Sequence, residues 1–486
     1  MCPLYPVHLV LMYGALLVGV WMAGLGTVMA AASEVSLLKV RLHVNDTPVD
    51  TLDIKEGEEK MVTFYLDDLP IQAAGDILLK DENNDHLNHI EVKPERIPLT
   101  ALEKEEPDSP SPSGSFNVSG KFLGFTRVRL VLSDGNDQEL MASEPVQVKV
   151  QRGKRVLDKI FIHVIILLVI VAYINMGCAI DLKVIKETLR RPVAPAIGLA
   201  SQYLFMPIVS YVIGYGLFSD YPSMWLGLFL TGCSPGGGGS NMWTYILGGS
   251  LDLSVTMTFV STVGAFAALP IWVFSLARTI FNDGQFNKLP FKNIAMLIIG
   301  LVVPLSIGLL IKWKSERVAL MLKRLLKPFS IIFIVFIMTF GVYANYYIFA
   351  FFDWKVAVAG LLLPWLGFVF GAVMALMCRR SMEEIIAISI ETGIQNTGIA
   401  IGILKVALGD FAPLGDIAMV IPVAVATMTP IPLTVAYIFK RVQECRGKTK
   451  TLKFDIPFDD NDNHTLASST SPLNKSPSDF CGPIAA

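Results

Sequence analysis

Apolar and polar positions follow two different patterns along this chain, and the pattern changes near residue 155. Between residues 33 and 150, apolar residues alternate with polar ones, as in Leu38–Val44 and Val146–Val150. This period of two is typical of strands with one buried face. About 110 residues of such short strands predict a β-sandwich-like domain.

Long apolar stretches replace this alternation from Val156 onward. Each stretch is close to the ~20 residues that a helix needs to cross a bilayer. We therefore predict an all-α polytopic membrane domain over residues 156–440. Its nine predicted helices lie at 156–177, 194–217, 223–247, 251–276, 289–312, 328–350, 355–377, 384–408 and 414–439.

Two of these predicted helices are interrupted by glycines and polar residues. The third helix breaks at Cys233–Asn241 and the eighth at Glu391–Gly398. Each is the third member of a group of four helices, and the two groups run in opposite directions through the membrane. Interrupted helices at matching positions of inverted repeats are typical of a transporter's binding site. For the glycines the alternatives are a flexible loop or a close helix contact. For Glu391 the alternative is a carboxylate that bonds to neighbouring helices or stays protonated.

The two ends of the chain predict its orientation. Apolar residues 10–29 followed by small residues predict a signal peptide at 1–32, with an uncleaved anchor as the alternative. Lys and Arg concentrate at 183–191 and 312–327, which predicts that these loops and the C-terminus are cytoplasmic. The N-terminal domain would then be extracellular or lumenal, and the plasma membrane is the expected location. The tail 441–486 is polar and predicted to be disordered.

Two sequons in the exported domain predict glycosylation at Asn117 and at Asn45, where Pro48 weakens the site.

Composition narrows the function classes further. Only 17% of the residues are charged, against about 25% in a typical soluble protein. No basic, aromatic-laced patch indicates nucleic-acid binding. The six cysteines have no metal or redox spacing, and no nucleophile–base or phosphate-loop pattern predicts an enzyme.

Oxygen-bearing side chains surround the two predicted breaks. Ser254 and Thr258 are four residues apart and share a helix face, as do Glu391 and Gln395. Hydroxyl, amide and carboxylate oxygens suit a hard cation. A carboxylate at mid-bilayer is costly, about 2.5–3.5 kcal/mol, which favours an ion-binding role for Glu391. The alternative is that each of these residues only packs between membrane helices.

Three motifs carry a resemblance to a known family. Ser234–Gly237 and Ser240–Asn241, followed by Leu253–Ser254 with Thr258, resemble the first crossing-helix signature of the bile acid:sodium symporter family (solute carrier family 10). Glu391–Asn396 resembles the second signature, and Gln202–Pro207 resembles a third block. The motifs occur in order and cover the region of about 156–440. The long N-terminal domain is similar to that of the family's orphan members.

The resemblance implies a panel domain and a core domain, two sodium sites and alternating access. The first implied sodium site consists of Ser240, Asn241, Ser254, Thr258 and Glu391. The second consists of Gln202, Glu391 and Gln395, with backbone carbonyls around Thr392. Asn396 is implied to face the organic substrate.

On this basis the sequence predicts sodium-coupled symport of an amphipathic organic anion of the bile acid or steroid-conjugate class. Na⁺, the anion and membrane lipid are the predicted partners, and no organic cofactor is predicted. Two departures keep an alternative open, because Gly238 replaces the family's usual Asn and an acid is displaced to Asp252. That alternative is a non-transporting, carrier-like protein whose β domain is a binding or assembly module.

Overall fold

The structure is a computed structural model. It describes residues 36–44, 47–67, 75–82, 87–102, 112–134, 138–153, 156–179, 182–281, 302–322, 324, 336, 339–340, 342–408 and 411–454. The predicted signal peptide, the sequon residue Asn45 and parts of the predicted fifth and sixth membrane helices lie outside these ranges.

Residues 36–151 form the predicted β-rich domain. Its strands are β1 (Ser36–Leu38), β2 (Val40–Val44), β3 (Thr47–Pro48), β4 (Thr51–Lys55), β5 (Glu59–Leu66), β6 (Asp76–Asp81), β7 (Ile90–Lys93), β8 (Arg96–Pro98), β9 (Ser113–Gly120), β10 (Gly124–Ser133), β11 (Glu139–Ser143) and β12 (Val146–Gln151). One sheet has the order β1-β11-β10-β12-β4, with β6 paired to β10 and β8 paired to β6. The other has the order β3-β2-β5-β9-β7. Alternate residues of both sheets, such as Leu130, Phe64 and Val118, fill one buried apolar core.

The membrane domain is helical. Its helices are α1 (Val156–Ala179), α2 (Leu182–Leu189), α3 (Val193–Ala200), α4 (Met206–Phe218), α5 (Pro222–Cys233), α6 (Gly239–Leu247), α7 (Leu251–Ser275), α8 (Val302–Lys314), α9 (Val342–Ala344), α10 (Trp354–Met377), α11 (Met382–Gly393), α12 (Thr397–Ala407), α13 (Leu414–Ala418), α14 (Val420–Met428) and α15 (Pro430–Phe454). A π-helical turn, Ser201–Phe205, joins α3 to α4.

Four continuous helical stretches in the described part of the chain are long and apolar enough to cross a membrane. They are Val193–Phe218, Leu251–Ile280, Trp354–Met377 and Leu414–Gln443. They coincide with the predicted second, fourth, seventh and ninth helices. The predicted total of nine stays a prediction. Helix α15 continues to Phe454, into the segment predicted as the tail.

Both predicted breaks are present, and we call α5 with α6 the first broken helix and α11 with α12 the second broken helix. The first break spans residues 234–238, where Pro235 supplies no N–H to continue the helix. The second break spans only residues 394–396. The predicted start of this break at Glu391 is therefore wrong, because Glu391 lies in the last turn of α11.

The two breaks lie against each other and satisfy each other's backbone groups. Gly236 forms an isolated antiparallel bridge with Gln395. The N–H of Gly237 donates to the Ile394 carbonyl at 2.8 Å, and the N–H of Asn396 donates to the Pro235 carbonyl at 2.9 Å. Irregular backbone is tolerated at membrane depth only where protein or water satisfies it, and this pairing does so.

Candidate functional site at the helix crossing

Glu391 lies at the centre of the crossing and is 2% exposed. Its Oε2 accepts hydrogen bonds from Ser240 Oγ at 2.6 Å and from Ser254 Oγ at 3.4 Å. Its Oε1 is buried, and no donor among the described residues lies within hydrogen-bonding distance. A buried carboxylate oxygen without a partner is costly, so this geometry favours a further positively charged or hydrogen-bearing group at Oε1.

The remaining members of the first predicted group surround this carboxylate. Asn241 Oδ1 accepts from Ser254 Oγ at 2.9 Å and lies 3.4 Å from Thr258 Oγ1. Ser240 Oγ and Thr258 Oγ1 are 3.5 Å apart. Helices α6, α7 and α11 therefore bring all five predicted residues into one connected polar cluster.

The second predicted group also comes together. Gln202 Nε2 donates to the Ser234 carbonyl at 2.6 Å and to Gln395 Oε1 at 2.7 Å. Gln395 Nε2 in turn donates to the Thr392 carbonyl at 2.8 Å. Gln202 lies in the π-helical turn, a distortion that often occurs at functional sites. Like Glu391 Oε1, the buried Gln202 Oε1 accepts no hydrogen bond from the described residues.

A small cavity connects these two groups. It has a volume of about 10 Å³, and both Gln202 and Glu391 line it together with Ser261 and apolar residues. This volume is close to the minimum that holds a single water-sized particle. The two unpartnered oxygens therefore belong to residues that border the same space for one small ligand.

The helix ends add opposite partial charges to the crossing. Helices α5 and α11 end there, at Cys233 and Gly393, and their C-terminal carbonyls contribute about half a negative charge each. Helices α6 and α12 begin there and contribute positive ends. The crossing can therefore stabilise a cation beside Glu391 and an anion near the two starting helices.

Sequence reasoning missed two polar residues of this site. Ser261 Oγ accepts from the Gly236 N–H at 3.3 Å. The hydroxyl of Tyr203 donates to the Ser261 carbonyl. Ser254, Thr258 and Ser261 follow one another at spacings of four and three, so continuing the helical face of α7 would have identified Ser261. Tyr203 lies within the Gln202–Pro207 block, but the sequence predicted no role for it.

Two other predicted residues lie apart from the ion-binding groups. Asn396 is half-buried, and its Oδ1 caps α12 by accepting from the Ile399 N–H at 3.2 Å. Its role towards a substrate stays a prediction. Asn117 lies on β9 with a half-buried side chain, in register with Met61 and Lys93 on the flanking strands. Its glycosylation also stays a prediction.

Comparisons with known proteins agree with the motifs. The profile of the "Sodium Bile acid symporter family" matches residues 165–351. The human "P3 protein" is 28% identical over 247 residues, which are 51% of this chain and 51% of that protein. The human "Hepatic sodium/bile acid cotransporter" is 28% identical over 266 residues, which are 52% of this chain and 73% of that protein. The human "Sodium-dependent organic anion transporter" is 27% identical over 235 residues, 48% of this chain and 60% of that protein.

The chain thus spans about half the length of the P3 proteins that it matches. The family is one of symporters that use Na⁺ as the coupling ion, rather than of enzymes. The resemblance predicted from the crossing-helix motifs is therefore confirmed: this chain is similar to the sodium bile acid symporter family, and residues 165–351 carry the match.

Proposed function

We propose that this protein is a sodium-coupled symporter that moves an amphipathic organic anion across a membrane by alternating access. The observation that carries the proposal is the pair of unpartnered buried oxygens, Glu391 Oε1 and Gln202 Oε1, on residues that line one small cavity. The names of the relatives, which include bile acid and organic anion carriers, support the same class of substrate.

The chemistry of the ligands supports Na⁺. One carboxylate, three amides and several hydroxyls give a site rich in neutral oxygen and low in formal charge, which suits a monovalent hard cation. In this proposal one Na⁺ binds among Ser240, Asn241, Ser254, Thr258 and Glu391. A second Na⁺ binds among Gln202, Glu391, Gln395 and the Thr392 carbonyl. Glu391 contributes to both sites, so its single charge couples them.

Two sodium ions supply enough free energy for concentrative uptake. A tenfold gradient contributes about 1.4 kcal/mol per ion. A membrane potential contributes about 2.3 kcal/mol per charge for each 100 mV. Two ions therefore deliver roughly 5–6 kcal/mol at a typical potential, less the free energy of moving an anion inward.

The proposed topology places the β domain outside, behind a signal peptide at 1–32, and the C-terminus in the cytoplasm. The plasma membrane is the proposed location. Support comes from the concentration of Lys and Arg in the loops assigned to the cytoplasm. Glycans at Asn117 and Asn45 would then lie on the outer side, where the glycosylation machinery can reach the chain.

Uptake of a radiolabelled steroid conjugate in sodium medium and in choline medium tests the proposal. We expect uptake in sodium only, and we expect Glu391→Gln to lower it about 100-fold. The matched control is Glu383→Gln, an exposed carboxylate eight residues earlier on the same helix. Equal uptake in both media would contradict sodium coupling, and sodium-dependent uptake by Glu391→Gln at the wild-type level would contradict the ion-site assignment.

A further inference from the structure

The β domain contacts the membrane domain through the segment between β9 and β10. Leu123 in this segment is fully buried and belongs to the apolar core of the membrane helices. The neighbouring Phe122 ring lies 5.5 Å from the ring of Phe351, at the turn that precedes α10. The β domain is therefore seated on the turn at 346–351.

Arg152, which directly follows the last strand of the β domain, contacts the same turn and the end of α9 just before it. Its Nη2 donates to the Ala344 carbonyl at 3.0 Å. Its guanidinium lies 4.7 Å from the ring centroid of Tyr347, a cation–π arrangement. Tyr347 is buried, so Arg152 packs on a ring that lies almost wholly inside the protein.

The Tyr347 hydroxyl continues the network into the membrane domain. It donates to Asp416 Oδ1 at 3.1 Å, and Lys405 Nζ donates to the same oxygen at 2.6 Å. The side chain of Lys405 is only 9% exposed and that of Asp416 only 17%. Opening a pair with so little exposure leaves an uncompensated charge, so the pair holds its two helices together strongly.

Lys405 lies on α12, the outer half of the second broken helix under the proposed topology. Eight residues separate it from Thr397, where α12 begins, which corresponds to about 12 Å along the helix. Asn396 caps one end of α12 at the crossing, and Lys405 fixes the other end. A helix held at both ends can move only when one of these attachments opens.

We propose that the β domain clamps the outer end of the second broken helix through Arg152, Tyr347, Asp416 and Lys405, and so restrains the helix that transport has to move. This inference rests on the proposed transport function. In this arrangement the β domain is a positioning element of the transport cycle. The contacts form one connected series from Arg152 to α12, and the Lys405–Asp416 pair is the element that opens or closes.

A labelling experiment on the full chain in detergent tests the clamp without requiring any substrate. Val406→Cys places a thiol next to Lys405 at a half-buried position, and a change in the rate of maleimide labelling reports a change in the accessibility of this end of α12. Labelling of the chain without Val406→Cys gives the background from native cysteines. In the Val406→Cys background, Tyr347→Phe removes only the hydroxyl and keeps the ring. Tyr346→Phe makes the same chemical change at a neighbouring residue that is 60% exposed, and it is the control.

We expect Tyr347→Phe to raise the labelling rate about tenfold over Tyr346→Phe, since a hydrogen bond to a charged group is lost. Arg152→Gln should also raise the rate, and the double variant should be non-additive, because both changes act on one series of contacts. If Arg152 only stabilised the β domain, Arg152→Gln would leave the labelling rate of Val406→Cys unchanged.

Equal labelling of Tyr347→Phe and Tyr346→Phe would overturn the clamp, as would fully additive effects of Arg152→Gln and Tyr347→Phe. Sodium-dependent uptake is measured in parallel on the same variants. Absence of uptake in every variant contradicts the proposed function, whereas uptake without any change in labelling contradicts only the clamp.

Discussion

The two broken helices meet at one crossing but differ in what they bring to it. The first break is five residues long, rich in glycine, and followed by a helix whose N-cap, Gly238, provides no side-chain hydrogen bond. The second break is three residues long and is followed by a helix capped by Asn396. The charge, Glu391, comes from the second broken helix, whereas the hydroxyl nearest to it, Ser240, comes from the first.

This difference indicates a division of labour between the breaks. The glycines of the first break allow a close approach of backbone, since a Cβ at Gly236 would lie 2.2 Å from Glu391 Oε1. The second break supplies the carboxylate and the amide of Gln395 on a tightly held backbone. The first break thus shapes the space for the ion, and the second break supplies the negative charge that binds the ion.

Removing the charge should have the largest effect. Glu391→Gln keeps the size of the side chain and its bond to Ser240, but it removes the negative charge that both proposed sodium sites share. We expect sodium-dependent uptake to fall about 100-fold, from the loss of a charge-assisted interaction of about 3 kcal/mol. Initial uptake rates across a range of sodium concentrations measure this. Glu383→Gln should behave as the wild type, and a small effect of Glu391→Gln would show that the second break does not supply the charge.

Filling the space of the first break should have the next largest effect. Gly236→Ala places a methyl group on Glu391 Oε1, so the carboxylate has to move away from its partners. We expect the sodium concentration for half-maximal uptake to rise about tenfold, equivalent to about 1.4 kcal/mol. Gly239→Ala is the matched control, because a Cβ there meets no described atom within 4 Å and alanine favours a helix. Identical behaviour of the two variants would contradict the role of Gly236.

Removing the cap of the second break should have the smallest effect. Asn396→Ala deletes the side-chain oxygen that accepts from the Ile399 N–H, a loss of about 1 kcal/mol. We expect the midpoint of thermal unfolding in detergent to fall by about 2–4 °C. Asn396→Gly should cost only a few tenths of this energy if the cap is the cause. A greater loss of stability with glycine than with alanine would indicate another role for the side chain.

Much of this architecture was predictable from local sequence. The apolar alternation predicted the β-rich domain, and Pro235 with the glycines after it predicted the first break. The second break was predicted too long because Glu391 and Thr392 read as helix-interrupting polar residues. In the structure the carboxylate of Glu391 bonds to Ser240 on another helix, and the Thr392 hydroxyl donates to the Ile388 carbonyl within α11.

Contacts between distant segments were not predictable from periodicity. The motifs implied which oxygens belong together, but the bond from Gln202 to the Ser234 carbonyl depends on how the π-helical turn packs against the first break. The contact of Arg152 with Tyr347 joins residues 195 positions apart, and no local pattern predicts that they meet. Such pairs are determined by tertiary packing, which a single sequence does not encode in its local spacing.

Equilibrium binding of radioactive ²²Na⁺ to the purified full chain tests the central claim most directly, because it requires neither a substrate nor a membrane gradient. We predict saturable binding by the wild type and by Glu383→Gln, and no saturable binding by Glu391→Gln at the same sodium concentrations. Excess unlabelled Na⁺ should displace the bound ion. Saturable binding of equal affinity by Glu391→Gln and the wild type would contradict the claim that the carboxylate at the helix crossing binds the coupling ion.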